Sequence, residues 1–197
     1  MMKRILSIVV FFLLLSVFAV AQDAPEDDMD EVQDFSYSMN GRGDQYIKIA
    51  IMPNFPLNFG DQLYVGGAAE LGYYRFLNSW LALGGELSVG YNPTLGSNSL
   101  TFVPITFGVS FQPAVWKIEF PITLSTGFAF ETCQNRKYFP GFVAKAEAGA
   151  FFRMNEGWSF GLGSDFLYLP QWYTTDERAS SDYGLFLTAF VAARYHF

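Results

Sequence analysis

The chain has 197 residues, which is enough for one domain of ordinary size. Its residues are 51% hydrophobic and 19% aromatic but only 16% charged, whereas about 25% charged is usual for a soluble protein. The formal net charge of −7 makes nucleic acid a poor partner. The single cysteine, Cys133, excludes an internal disulfide and leaves a cysteine-based metal site short of ligands. We expect no cofactor and no metal, and an apolar surface too large for a small core.

Residues 1–21 have the three parts of a secretory signal peptide. Lys3 and Arg4 precede an apolar stretch, and the small residues Ala19 and Ala21 allow cleavage after Ala21. An uncleaved transmembrane helix is the alternative, since about 17 apolar residues can span a bilayer. The complete pattern favours export with removal of the signal peptide.

Residues 22–44 are predicted to form an acidic, disordered N-terminal tail. The segment from Asp23 to Asp34 contains seven acidic residues and no basic residue. Like charges at this density repel one another and bury little apolar surface.

Residues 45–197 show the two-residue alternation of β-strands, bounded by Gly, Pro, Asn or Asp. The pattern predicts eight strands: Gln45–Met52, Leu63–Phe76, Trp80–Tyr91, Leu100–Phe111, Trp116–Phe130, Phe142–Arg153, Trp158–Leu169 and Tyr183–Phe197. Short connections alternate with long ones, as outer-membrane barrels alternate periplasmic turns with outer loops. We therefore predict an all-β fold, an eight-stranded antiparallel up-and-down transmembrane β-barrel with both termini in the periplasm.

Each predicted strand has one row of bulky apolar residues and one row of small or charged residues. A soluble lipocalin-like barrel is the alternative, because its interior is an apolar cavity. Eight bulky rows exceed what a narrow interior can hold, so we expect them to face lipid. The other rows then place a charge network in the interior: Lys48, Glu70, Glu86, Lys117, Glu119, Lys145, Glu147, Asp165 and Arg194. Because buried charges persist only when paired, we expect a salt-bridged core, with a proton or ion path as the alternative.

Trp80, Trp116 and Trp158 each begin a predicted strand directly after a short turn. Tryptophan is favoured at membrane interfaces, so the three predict a periplasmic aromatic girdle. Pro104 and Pro121 lie within predicted strands, where a proline removes a ladder hydrogen bond and usually marks a bulge.

The chain ends in an alternating apolar strand, from Val191 to a terminal aromatic, Phe197. With the leader and the hairpin pattern, this ending resembles the small eight-stranded outer-membrane proteins of the OmpA, OmpX and OmpW groups. The resemblance covers the chain after the acidic tail. It implies a bacterial outer-membrane location, outer-membrane lipids as partners, and Tyr195 and Phe197 as the assembly signal for the barrel-assembly machinery.

Some barrels of this size are enzymes, which need a nucleophile and a base within hydrogen-bond reach. The single histidine, His196, has no neighbouring serine and carboxylate in the sequence, so we predict that the protein is not an enzyme. We expect a structural or surface-interaction role, with a surface ligand bound by the outer loops, of which Pro170–Arg178 is the longest. The alternative is a passive channel or transporter for small or hydrophobic solutes, with a lateral opening at Pro104 and Pro121.

Overall fold

The computed structural model describes residues 40–59, 62–94, 99–133, 136–170 and 183–197. The predicted signal peptide, residues 22–39 of the predicted tail and residues 171–182 of an outer loop lie outside these ranges. Among the described residues, no helix is long and apolar enough to cross a membrane. The strands are β1 Gln45–Pro56, β2 Gly66–Phe76, β3 Leu81–Pro93, β4 Ser99–Phe111, β5 Ala114–Val115, β6 Ile118–Glu119, β7 Ile122–Cys133, β8 Arg136–Arg153, β9 Trp158–Pro170 and β10 Tyr183–His196.

The strands form one closed antiparallel barrel. β1 pairs with both β2 and β10, and pairing of β8 with β9 closes the sheet. The short strands β5 and β6 continue β4 and β7, because the pairs Ala114–Glu119 and Val115–Ile118 keep the β4–β7 register. The barrel wall therefore consists of eight strands, which confirms the predicted fold class.

The strands are strongly tilted. Following paired residues once around the barrel returns to β1 ten residues farther along, through Tyr46, Tyr74, Gly84, Gly108, Ser125, Lys145, Leu167, Phe186 and Pro56. With ordinary strand spacings this stagger corresponds to a tilt of about 40°. An eight-stranded barrel of this kind has an interior that side chains just fill.

The outer surface of the barrel is apolar. In β1, the side chains of Ile47, Ile49 and Ile51 are exposed, while Tyr46 and Lys48 are buried in the interior. The other strands repeat this alternation and expose, among others, Leu71, Leu87, Val89, Phe107, Val109, Leu124, Leu162, Val191 and Tyr195. Water-soluble monomers rarely expose continuous apolar patches above a few hundred Å². This surface suits lipid, and the soluble-barrel alternative is wrong.

Several strand boundaries differ from the sequence prediction, most clearly in three strands. β1 continues to Pro56 instead of ending at Met52, and β7 and β8 remain paired out to Cys133 and Arg136. The predicted long connection over residues 131–141 is therefore largely strand. Pro140 and Gly141 lie within β8, opposite a register shift in β7 between Ala129 and Glu131.

The predicted bulges at Pro104 and Pro121 are not present. Pro104 pairs with Ala129 in an unshifted β4–β7 ladder, and the Pro121 carbonyl accepts a bond from the Gly149 N–H at 3.1 Å. Proline removes one donor but keeps a φ compatible with extended backbone. The strands therefore remain in register beyond both prolines.

Candidate functional site: the charged barrel interior

The interior changes character along the barrel axis. We call the end with the short connections and both barrel termini the turn end, and the opposite end the loop end. Tyr46 lies in an aromatic cluster at the turn end, and Lys48 follows in a charged layer. At the loop end an apolar cluster fills the interior: Leu63, Leu100, Phe102, Ala129, Val143, Leu167, Leu169 and Phe186, with Phe59 packed against it. We call this cluster the apolar plug.

Two lysines and three glutamates form a compact ionic cluster, which we call the charged cage. Lys48 Nζ lies 2.7 Å from one carboxylate oxygen each of Glu70, Glu86 and Glu147. Lys145 Nζ contacts the other oxygen of the same three residues, at 2.8 Å for Glu86 and 3.1 Å for Glu147. The three carboxylates thus each bridge both ammonium groups, which supplies the pairing that buried charges require.

Asp165 lies at the margin of the charged cage. Its Oδ2 is 3.9 Å from Lys145 Nζ, beyond hydrogen-bond distance. Oxygen atoms of Glu70, Glu147 and Asp165 lie within 4.8 Å of one another, a grouping that could ligate a cation. The Lys145 ammonium contacts all three carboxylates, so it already supplies the positive charge that a metal ion would bring.

A second ionic group lies toward the turn end. The Glu119 carboxylate pairs with two arginines: its Oε1 lies 3.6 Å from Arg153 Nη1, and its Oε2 lies 3.5 Å from Arg194 Nη1. The Arg194 guanidinium also lies over the Phe151 ring, 3.4 Å from its centroid. Asn40, which precedes β1, donates to Glu119 at 3.3 Å, so the chain entering the barrel contacts this group.

The structure places most of the predicted charge network together. Buried inside are Lys48, Glu70, Glu86, Glu119, Lys145, Glu147, Asp165 and Arg194. Lys117 is the exception, because it is exposed and its ammonium lies 5.7 Å from the centroid of the Trp116 ring. The prediction for Lys117 is wrong because Trp116 and Lys117 form the two-residue turn between β5 and β6, not the start of a strand.

Two buried charges were missed by the sequence reasoning. Arg153 is an even number of residues from Lys145 and Glu147 on the same strand, so the alternation of faces already indicated that it points to the interior. Glu131 is buried near the end of β7, in a segment that the sequence reasoning assigned to a loop. Alternation within the predicted strand was enough to find Arg153, whereas Glu131 required a strand that continues past Phe130.

The three tryptophans of the predicted girdle lie at the turn end with exposed side chains. Trp158 packs on Tyr195, with ring centroids 5.1 Å apart, and Trp80 packs edge-on against Phe111 at 5.6 Å. Trp116 has a φ of 56°, the sign required at the first position of a type II′ hairpin turn.

His196 has a serine partner that the sequence did not reveal. Ser159 Oγ lies 2.9 Å from His196 Nε2, because β9 and β10 pair antiparallel at the turn end. Arg153 and Arg194 are the charged groups close to the imidazole.

A small void of about 20 Å³ separates the charged cage from the apolar plug. Glu70, Asp165, Asn54 and Thr188 line its polar side, and Phe102 lines the side toward the loop end. A void of this size holds about one water molecule.

Comparison with known proteins shows relatives of similar sequence. A protein-family model matches residues 25–195. An uncharacterized protein of Treponema pallidum (strain Nichols) is 27% identical over 170 residues, covering 80% of this chain and 56% of the relative. A second uncharacterized protein of that organism is 34% identical over 100 residues, covering 51% of this chain and 45% of the relative. The chain spans about half the length of these curated relatives.

Solved structures of similar fold come from several bacteria. Neisserial surface protein A has a TM-score of 0.66 at 8% identity, with 79% of this chain and 99% of that chain covered. OprG from Pseudomonas aeruginosa has a TM-score of 0.54 at 9% identity, covering 81% and 98%. Ail of Yersinia pestis, solved with the heparin analogue sucrose octasulfate, has a TM-score of 0.50 at 16% identity, covering 79% and 99%. At these identities the likeness concerns the fold.

Proposed function

Because this chain has the fold of the small eight-stranded outer-membrane β-barrel proteins, we propose that it is a closed barrel with a structural or surface-interaction role. In this proposal the signal peptide over residues 1–21 is cleaved during export. Outer-membrane lipids surround the apolar wall, and the barrel-assembly machinery recognises Tyr195 and Phe197.

The filled interior is the observation that carries this proposal. The charged cage crosses the interior, since Lys48 of β1 contacts Glu147 of β8 on the opposite wall. The apolar plug occupies the loop end, where Phe102 stacks on Phe186 with ring centroids 5.1 Å apart. A solute would have to displace both layers to pass along the axis.

Lateral passage of hydrophobic solutes has weaker support. Two successive pairs are missing from the β3–β4 ladder, between Leu87–Ile105 and Gly90–Phe102. The absent pairs are Ser88–Pro104 and Val89–Val103, so the gap lies at one of the two prolines of the predicted opening. The register is the same on both sides of it, so β3 and β4 resume the same ladder. In the proposal, the outer loops bind the partner, because binding residues commonly lie on loops carried by a rigid scaffold.

We also propose a structural, not catalytic, role for the Ser159–His196 pair. Ser159 is fully buried and His196 nearly so, which leaves no surface for a substrate at either side chain. The hydrogen bond instead joins β9 to β10 at the turn end, where a buried polar group needs a partner.

Electrical recording across planar bilayers tests the closed-barrel proposal. Purified protein should insert without discrete, reproducible conductance steps, and liposomes that contain it should not swell in small sugars. A known porin recorded in the same bilayers is the positive control. Steps that persist unchanged in Lys145→Met would come from a contaminant. Steps of the wild type that disappear in Lys145→Met would contradict a closed interior.

A further inference from the structure

The charged cage and Asp165 together contain more negative than positive charge. Four carboxylates, on Glu70, Glu86, Glu147 and Asp165, are each at most 5% exposed. They face two ammonium groups, on Lys48 and Lys145. The other buried cations with described ion pairs, Arg153 and Arg194, contact Glu119 instead. Because an uncompensated carboxylate is strongly unfavourable in a buried site, some of this negative charge must be neutralised.

The contacts within the cluster are unevenly distributed. Glu86 accepts hydrogen bonds from Lys48, Lys145 and the Tyr74 hydroxyl. Both carboxylate oxygens of Glu147 accept a hydrogen bond from Lys48 Nζ, at 2.7 and 2.8 Å. Glu70 also contacts both ammonium groups. Asp165 has its nearest ammonium at 3.9 Å, so it is the one carboxylate of these four without an ammonium group within hydrogen-bond distance.

The void beside Asp165 contains acceptor atoms that need donors. Asn54 is fully buried, lines the void, and its side-chain oxygen has no hydrogen-bond donor among the described residues. A carboxylic acid offers an O–H donor that a carboxylate lacks. The 20 Å³ of the void admits one water, which could relay this hydrogen bond to Asn54.

We propose that this part of the interior is a proton-binding site, in which Asp165 holds a proton at neutral pH while Glu86 and Glu147 stay ionised. The groups that face Asp165 come from four strands: Lys145 and Glu147 on β8, Thr188 on β10, Lys48 on β1 and Glu70 on β2. Glu86 on β3 binds the same two lysines. One proton lowers the excess negative charge to a single unit. The three glutamates that each touch both ammonium groups share that remaining charge.

The proton links folding to pH in a defined direction. A carboxyl group in the unfolded chain releases its proton near pH 4, whereas the folded barrel keeps it. The folded state then binds more protons than the unfolded state, so stability falls as the pH rises through neutrality. The unfolding equilibrium constant should rise up to about tenfold per pH unit for one such proton.

Infrared spectroscopy of the folded protein in detergent micelles tests the proposal without any substitution. Protein labelled with ¹³C at its aspartate carboxyl groups should show, at neutral pH, the carbonyl band of a protonated acid shifted by the label. The band should disappear in Asp165→Asn and persist in Asp44→Asn, because Asp44 is exposed at the turn end. Wild-type protein with no label-sensitive band at neutral pH would overturn the proposal, whether or not Asp165→Asn folds.

Unfolding in urea as a function of pH gives the second measurement. Asp165→Asn resembles the protonated acid in shape, so its unfolding midpoint should match that of the wild type near pH 4, where the unfolded chain also holds the proton, and should exceed it at neutral pH. Its midpoint should also lose the decline toward alkaline pH. Replacement of Na⁺ by choline at constant ionic strength should leave the wild type unchanged. A wild type that loses stability without Na⁺ would place a sodium ion in the void and overturn the proposal.

Discussion

Removing the positive charge of Lys48 should destabilise the barrel strongly. The ammonium lies 2.7 Å from three carboxylates, and the side chain is 1% exposed. In Lys48→Met, the four carboxylates of the cluster would face Lys145 alone. Breaking a buried ion pair by removing one partner costs about 3 to 5 kcal/mol. With a urea dependence of about 1 to 3 kcal/mol per molar, the unfolding midpoint should fall by more than about 1 M.

Lys117→Met is the matched control for Lys48→Met, because it removes the same charge from an exposed turn. Unfolding in urea can be followed by tryptophan fluorescence of protein folded into lipid vesicles, together with the heat-dependent gel mobility of folded barrels. Lys117→Met should keep the wild-type midpoint. The loss in Lys48→Met should shrink toward pH 4, since protonated carboxyl groups no longer need a counter-charge. Equal midpoints for the two variants would refute the assigned role of the charged cage.

Four further changes test other parts of the structure. Phe197→Asp should lower barrel levels in the outer membrane of cells yet leave the refolded barrel stable, since the backbone bonds of Phe197 to Gln45 remain; normal levels in cells would count against an assembly signal. Gly90→Ala should lower the free energy of unfolding by about 1 to 3 kcal/mol, because a Cβ there would overlap the Phe102 ring. Adding Phe102→Leu to this variant should restore its urea midpoint. Trp116→Gly should be more stable than Trp116→Ala by about 1 kcal/mol, because only glycine adopts a positive φ without strain; equal midpoints would exclude strain at this turn. An epitope tag within residues 171–182 should bind antibody on intact cells, and failure to bind would invert the proposed topology.

The fold could be predicted from the sequence because a barrel wall repeats one local rule. Alternation of apolar residues such as Ile47, Ile49 and Ile51 assigns each side chain to a face, whatever the rest of the chain does. Strand ends were harder to predict. Proline and glycine serve both turns and strands, so the Pro140-Gly141 pair, which lies inside β8, was assigned to a loop.

The candidate site was predictable in its composition but not in its connections. The alternation along each strand assigns Lys48 and Glu147 to the interior. Their contact also depends on the register of every strand pairing between β1 and β8, three in one direction around the barrel and five in the other. A two-residue error in placing one turn moved Lys117 from the surface to the interior in the prediction. The Ser159–His196 contact likewise depends on the β9–β10 register, which parity alone does not provide.

The charged cage helps to keep the cross-section of this narrow barrel constant in shape. In lipid, the apolar outer wall gains little from pressing opposite strands together, because lipid tails solvate it as well as another wall would. The strand number and stagger set the mean radius of the barrel, and contacts across the interior resist flattening of the wall. Lys48 of β1 reaches Glu147 of β8, and Lys145 of β8 reaches Glu70 of β2 and Glu86 of β3. Because these pairs join non-adjacent strands, they brace the wall that carries the connections at the loop end.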